Sequence, residues 1–177
     1  MKWAQLQAGA NSVLTPINHV DIKNTVSITS IVFAAGVKTL TFYFRIMGTH
    51  HRAFGAIITF LRINEIEIES EEEYNRAMSN PKYMEVRDSE DHNHVIEKPN
   101  LLYNDVQCRC SCESFRFTYA YADKKNRAMT GADFATYIRK TPLPPLGRPR
   151  RNPDRIPGID KHLEVAMNYL SRKGFVI

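Results

Sequence analysis

All three cysteines of the chain fall in one stretch, Val106-Gln107-Cys108-Arg109-Cys110-Ser111-Cys112-Glu113-Ser114-Phe115. They alternate with Arg109 and Ser111, so on an extended strand the three thiols point to one face. Cys108 and Cys112 are four residues apart, roughly 13 Å at strand rise. That exceeds the roughly 7 Å between Cα atoms that a disulfide spans. Two neighbours at Cys-x-Cys spacing can instead converge on one zinc ion if the strand bends or ends there. Such a site needs two more ligands from elsewhere.

Those ligands are found far downstream. Pro157 and Gly158 form a turn ahead of a helical pattern in which Ile159, Leu163, Met167 and Leu170 stand four, four and three apart. Asp160 then falls at the helix cap and His162 in the first turn. Side chains two apart inside a helix diverge, but a cap residue and a first-turn residue can face the same ion. The helix N-terminus also favours thiolates. Cys110, Cys112, Asp160 and His162 therefore make a four-ligand set, with Cys108 as the alternative to Asp160. Asp is also among the commonest N-caps, so the same residues read as a strand of buried, inert cysteines, a capping Asp160 and a surface His162. A catalytic zinc would keep an open coordination position and a general base nearby, and no residue stands out as that base.

Cys110-Ser111-Cys112 with Phe115 three residues on, a variable insert and then Asp160-Lys161-His162 resembles the SWIM zinc-binding module. In particular it resembles the divergent SWIM-like halves of structural proteins of tailed bacteriophages. Those share an aromatic and basic insert (here Phe115-Arg116-Phe117-Thr118-Tyr119-Ala120-Tyr121), an Asn-Pro turn (Arg151-Asn152-Pro153) and a Gly-x-Cys-Lys-His helix start (Gly158-Ile159-Asp160-Lys161-His162). Asp160 stands where that pattern has its third cysteine. The resemblance covers roughly the C-terminal 70 residues, a size within that of one domain. It implies a non-enzymatic virion protein of the neck, tail or baseplate, assembled in the host cytoplasm. It also implies structural Zn2+ and other virion structural proteins as partners in a homo- or hetero-oligomer. SWIM modules in general imply the alternative, a nucleic-acid-binding zinc module.

Composition agrees with a soluble, globular chain: 177 residues, 43% hydrophobic and 24% charged. No apolar run approaches the roughly 20 residues of a membrane span, so no membrane partner is expected. The start, Met1 to Gln7, lacks the apolar core of a signal peptide. Three clustered cysteines do not make a secreted disulfide framework, which points to folding in a reducing cytoplasm. The net charge of +5 is carried by one strip: Arg139, Lys140, Arg148, Arg150, Arg151 and Arg155 against Asp154 give 6 − 1 = +5, leaving the remainder neutral. Arg148, Arg150 and Arg151 suit phosphates or an acidic neighbour protein. Leu143 and Leu146 add apolar points to a Pro-rich arm, Thr141 to Pro157, that is excluded from helix and central strand.

The remaining chain reads as α+β: an antiparallel β-sheet with a zinc-stapled strand-to-helix C-terminal half. Residues 1–100 supply a β-hairpin of that sheet with a helical insertion, and residues 101–177 the SWIM-like region with its Pro/Arg-rich loop. Residues 1–24 are mixed in character: Leu14–His19 read as loop or extended arm, and Trp3 and Leu6 as anchoring the end to a core. Val26–Phe33, Thr39–Met47 and Phe54–Ile63 read as strands, the last two joined by a turn containing His50 and His51. Ser70 caps a helix that opens on Glu71, Glu72 and Glu73 and ends before Asn80-Pro81. Tyr83–Arg87 forms a short strand. Asp88 to His94 reads as a polar loop, whose His92 and His94 with Asp88, Glu90 and Asp91 also have the composition of a divalent-ion site. Leu101–Phe117 returns to strand. Its aromatics through Tyr121 alternate with polar groups, as core or as a stacking platform for single strands. Thr130–Lys140 reads as helix, and the last helix runs to about Lys173 with Gly174 as its stop.

Overall fold

A computed structural model describes residues 1–13, 25–47, 52–131, 154 and 156–177. The fold is α+β. Its main sheet holds β1 (Thr25–Ala34), β2 (Thr39–Met47), β3 (Ala53–Leu61) and β7 (Val106–Cys110) in the order β1-β2-β3-β7. Every pairing in it is antiparallel. A second antiparallel sheet has the order β4-β6-β5, from β4 (Glu65–Ile66), β5 (Tyr83–Arg87) and β6 (Asn93–Glu97).

Strict alternation builds the core face of the main sheet. Leu40, Phe42, Phe44 and Ile46 of β2 are all buried and lie opposite Phe60, Ile58, Ala56 and Phe54 of β3. The same register carries on to β7, where Val106, Cys108 and Cys110 face Phe60, Ile58 and Ala56. A period of two therefore delivers Cys108 and Cys110 to the buried side. In β1 the register slips by one residue between Ile28 and Ser30, a bulge that keeps Ile31 and Phe33 on the core side with Val26 and Ile28.

Helix α5 (Lys161–Arg172) covers this face with Leu163, Ala166, Met167 and Leu170, all buried. It ends as the sequence predicts: Gly174 takes φ +70°, and Phe175 N–H returns to Leu170 C=O at 3.0 Å. The Phe175 ring then meets Phe42 edge-on at 5.7 Å. Ser70 caps α2 (Glu71–Met78) by accepting from Glu73 N–H, as expected.

The structure differs from the sequence reading in four places. Residues Trp3–Val13, where no element was expected, form helix α1, and Trp3, Leu6 and Ala10, three and four apart, are buried on it; the loop or arm expected at Leu14–His19 lies outside the described residues. The strand carrying the cysteines stops at Cys110. Phe115 and Tyr119 are not on a strand but four apart across the start and end of α3 (Glu113–Thr118), which leads into α4 (Ala120–Lys125). Both rings are fully buried in the core, whereas Tyr121 of the same run is exposed. Finally, the polar loop is shorter than expected, because Asn93 and His94 open β6.

The turn with His50 and His51, the body of the expected helix 132–140, and the arm with Leu143, Leu146, Arg148, Arg150 and Arg151 lie outside the described residues. Among the described residues, no helix is long and apolar enough to cross a membrane.

Candidate metal centre

Strand β7 ends at Cys110, opposite Ala56 of β3. Ser111 N–H donates to Gly55 C=O at 2.8 Å, and Gly55 N–H donates back to the Ser111 hydroxyl at 2.9 Å. Beyond this clasp the backbone stays extended for one residue, Cys112, with φ −73° and ψ 154°, and then enters α3. Cys112 is thus an N-cap: its Sγ accepts from Phe115 N–H at 3.3 Å. Cys110 Sγ accepts from Cys112 N–H at 3.4 Å. Both thiols receive backbone donors, which favour the ionised form a metal requires.

The second pair arrives at the start of α5. Asp160 is the N-cap, and its Oδ1 accepts from Leu163 N–H at 3.1 Å. Its other oxygen, Oδ2, points elsewhere. It lies 2.8 Å from His162 Nδ1 and 2.7 Å from Cys112 Sγ. Cys110 Sγ stands 3.7 Å from His162 Nδ1. One donor atom from each of Cys110, Cys112, Asp160 and His162 lies within 4.8 Å of all the others, and all four residues are buried. This group could hold a metal ion.

The donor geometry fits that use. A tetrahedral ion with bonds of about 2.0–2.3 Å sets its ligand atoms roughly 3.3–3.8 Å apart. The Cys110–His162 separation already matches. The two contacts of Asp160 Oδ2 are shorter, as hydrogen bonds are, and open by under about 1 Å to admit an ion. Two soft thiolates, a borderline imidazole nitrogen and a hard carboxylate oxygen are together enough to fill a tetrahedron without help from water.

Electrostatics within the group are coupled. Burial works against a charged His162, but the Asp160 carboxylate and the Cys112 sulfur outweigh it and raise its pKa to about 9. Burial likewise opposes ionised Asp160, yet the His162 hydrogen bond holds it below the ordinary carboxylate value. Cys112 is lowered to about 7 by the hydrogen bond from Cys110, while Cys110 is pushed up by the same contact and by burial. The cluster without an ion is therefore held by an imidazolium–carboxylate pair, and a metal displaces protons as it binds.

Cys108 does not join the group. It is fully buried, and burial raises its thiol well above the ordinary range. Its neighbour is Asp123, whose Oδ2 lies 4.0 Å from Cys108 Sγ. His162 is buried and not on the surface, and the Phe54 ring lies over it at 4.4 Å with an interplanar angle of 31°. The Arg52 guanidinium lies over the Phe54 ring, 5.5 Å from its centroid. The second candidate, around His92 and His94, is a set of ion pairs. His94 bridges Glu65 (Nδ1, 2.5 Å) and Asp88 (Nε2, 3.1 Å), and His92 also pairs with Asp88 at 3.3 Å.

Two residues of the centre escaped the sequence reading. Asp123 carries a fully buried carboxyl that accepts from Gly158 N–H at 2.8 Å; burial pushes it up to about 8. The signal was present only as an acid on the inner face of a short helix. Phe54 was read only as the first residue of a strand, and its partner could not be known without the fold. Compared with protein-family descriptions, with curated proteins and with solved structures, the chain has no match in any of the three.

Proposed function

We propose that the protein is a non-enzymatic structural and assembly component of a tailed-phage particle, built around a zinc ion held by Cys110, Cys112, Asp160 and His162. The observation that carries the zinc reading is the convergence of four buried donors on one point. Four protein ligands leave no coordination position for water or substrate, which is the arrangement of a structural site. The ion would tie the end of β7 to the start of α5 and so hold the helix that covers the sheet. Zinc supplies folding free energy in such sites and no redox or acid–base step. The particle role rests on the resemblance to SWIM-like phage structural proteins, and a closed staple suits a component whose task is to hold shape.

Elemental analysis of protein purified without chelator tests the metal: about one zinc per chain is expected, and a value near zero refutes it. Fractionation of infected cells tests the role. The protein should sediment with assembled particles in stoichiometric amounts. If it is instead free of particles and binds single- or double-stranded nucleic acid with an affinity that falls steeply with salt, the nucleic-acid module is the right reading.

A further inference from the structure

Asp160 and His162 reach the site on the segment Ile156–Asp160, which has no secondary structure of its own. Something must hold that segment in place. Helix α1 approaches it on one side, so closely that a Cβ on Gly9 would lie 1.9 Å from Pro157 C=O. The ring of Tyr119 packs against the segment beside α1: a Cβ on Gly158 would come within 2.7 Å of the ring and 3.0 Å of Ala10 N. Those contacts are steric. A polar contact is added by the bond from Gly158 N–H to Asp123 Oδ1, at 2.8 Å and buried.

Asp123 is itself fixed to the cysteine strand. Its backbone C=O accepts from Ala128 N–H at 2.7 Å, and Ala128 C=O accepts from Cys108 N–H at 2.8 Å. The chain of bonds therefore runs from β7, two residues before Cys110, through Asp123, to Gly158, two residues before Asp160. It links the two halves of the ligand set across a separation of 35 residues between Asp123 and Gly158.

We infer that Asp123 is the positioning residue of the metal centre: it does not touch the ion but sets the distance between the Cys110–Cys112 half-site and the Asp160–His162 half-site. This inference rests on the metal reading above. Outer partners of this kind typically contribute 10–100-fold to metal affinity. What the position requires is an acceptor for Gly158 N–H, and Asn provides one at the same reach.

The test is metal affinity, measured by chelator competition with Zn2+ and by the visible spectrum of the Co2+ form, for wild type, D123N and D123L. Wild type must bind first; if it does not, the metal reading fails and this inference with it. With wild type binding, D123N should stay within about threefold. D123L should weaken by about 10–100-fold while the cobalt spectrum stays that of a tetrahedral, thiolate-ligated ion. If D123L is insoluble, D123S replaces it, since its shorter side chain falls short of Gly158, with the same expectation. Equal affinity of wild type and the leucine or serine variant overturns the positioning role, with the metal site intact. So does a D123N variant as weak as D123L.

Discussion

Cys112 Sγ and Asp160 Oδ2 stand 2.7 Å apart although 48 residues separate them in the chain. Each belongs to a residue that caps a helix, Cys112 for α3 and Asp160 for α5. Two helix N-termini are thus brought nose to nose, and the partial positive charge of both falls on the same small volume. Anionic ligands are favoured there before any ion arrives. The arrangement also removes an apparent choice. A capping Asp160 and a ligating Asp160 looked like rival readings, but they are compatible: the carboxylate caps α5 with Oδ1 and turns Oδ2 to Cys112 and His162.

That division can be separated by mutation. Asp160→Asn keeps an oxygen for Leu163 N–H but loses the charge, so the chain should still fold while metal affinity drops by more than about tenfold. Asp160→Cys should retain the metal. It loses the oxygen cap and with it about 1 kcal/mol, most visible in the metal-free protein. Chelator competition and thermal melts with and without zinc read both effects. An Asn variant that binds as well as wild type would show that Asp160 only caps.

Removal of a thiol should cost more. Cys112→Ser removes a ligand while leaving α3 a good cap residue, and the expected loss is about 3 kcal/mol, or roughly 10 °C in Tm for a chain of this length. Zinc content should fall in parallel. Cys108→Ala serves as the control: it deletes a buried thiol outside the ligand set, and its zinc content should remain that of wild type.

Gly9→Ala tests the seat of the ligand-bearing segment. In an ordinary helix interior the change stabilises by up to about 1 kcal/mol. Here the added methyl would sit 1.9 Å from Pro157 C=O, and the backbone must move. The overpacking cost of about 1–3 kcal/mol should win, lowering the urea midpoint. An unchanged or raised midpoint would mean that α1 docks more loosely than described.

The small sheet should respond to pH through His94. Its bond to Glu65, with help from Asp88, raises the His94 pKa above the ordinary value, against its partial burial. The His92 backbone N–H and the two histidine rings hold Asp88 well below the ordinary carboxylate range. A raised His94 contributes stability in full below its unfolded pKa, about 6.5, and loses it as pH rises through the folded value. A lowered Asp88 contributes above its unfolded pKa, about 3.9, and loses it as pH falls. The two overlap between roughly pH 4 and 6.5. His94→Gln in the zinc-loaded protein should therefore lower Tm most near pH 6, by a few degrees, with the gap closing by pH 9. A gap that stays constant with pH would mean that His94 acts through packing on Phe33 alone, whose ring lies 5.3 Å away.

Much of this was legible in the residues. The period-two run of Leu40, Phe42, Phe44 and Ile46 fixes a half-buried strand almost alone, and Ser70 ahead of three glutamates announces a helix start. The four donors could be selected because ligand chemistry restricts residue types more tightly than packing does. What failed were places where two periods compete. Phe115, Phe117, Tyr119 and Tyr121 satisfy a period of two, but Phe115 and Tyr119 also satisfy a spacing of four, and burial chose the helix. In α1, Gly9 and the polar residues hid the spacing of Trp3, Leu6 and Ala10; that glycine is present because Pro157 needs the room. The burial of Asp123 depends on a partner 35 residues away, and no local pattern encodes it.

The 48-residue interval between Cys112 and Asp160 also sets a clock during synthesis. At about 5–20 residues per second, the thiol half of the site leaves the ribosome some 2–10 s before the half that completes it. For that time the nascent chain carries a paired, two-coordinate trap for soft metals and oxidants, with α5 not yet available to close over it. The yield of correctly loaded protein should then depend on free zinc and on redox conditions during translation more than after it.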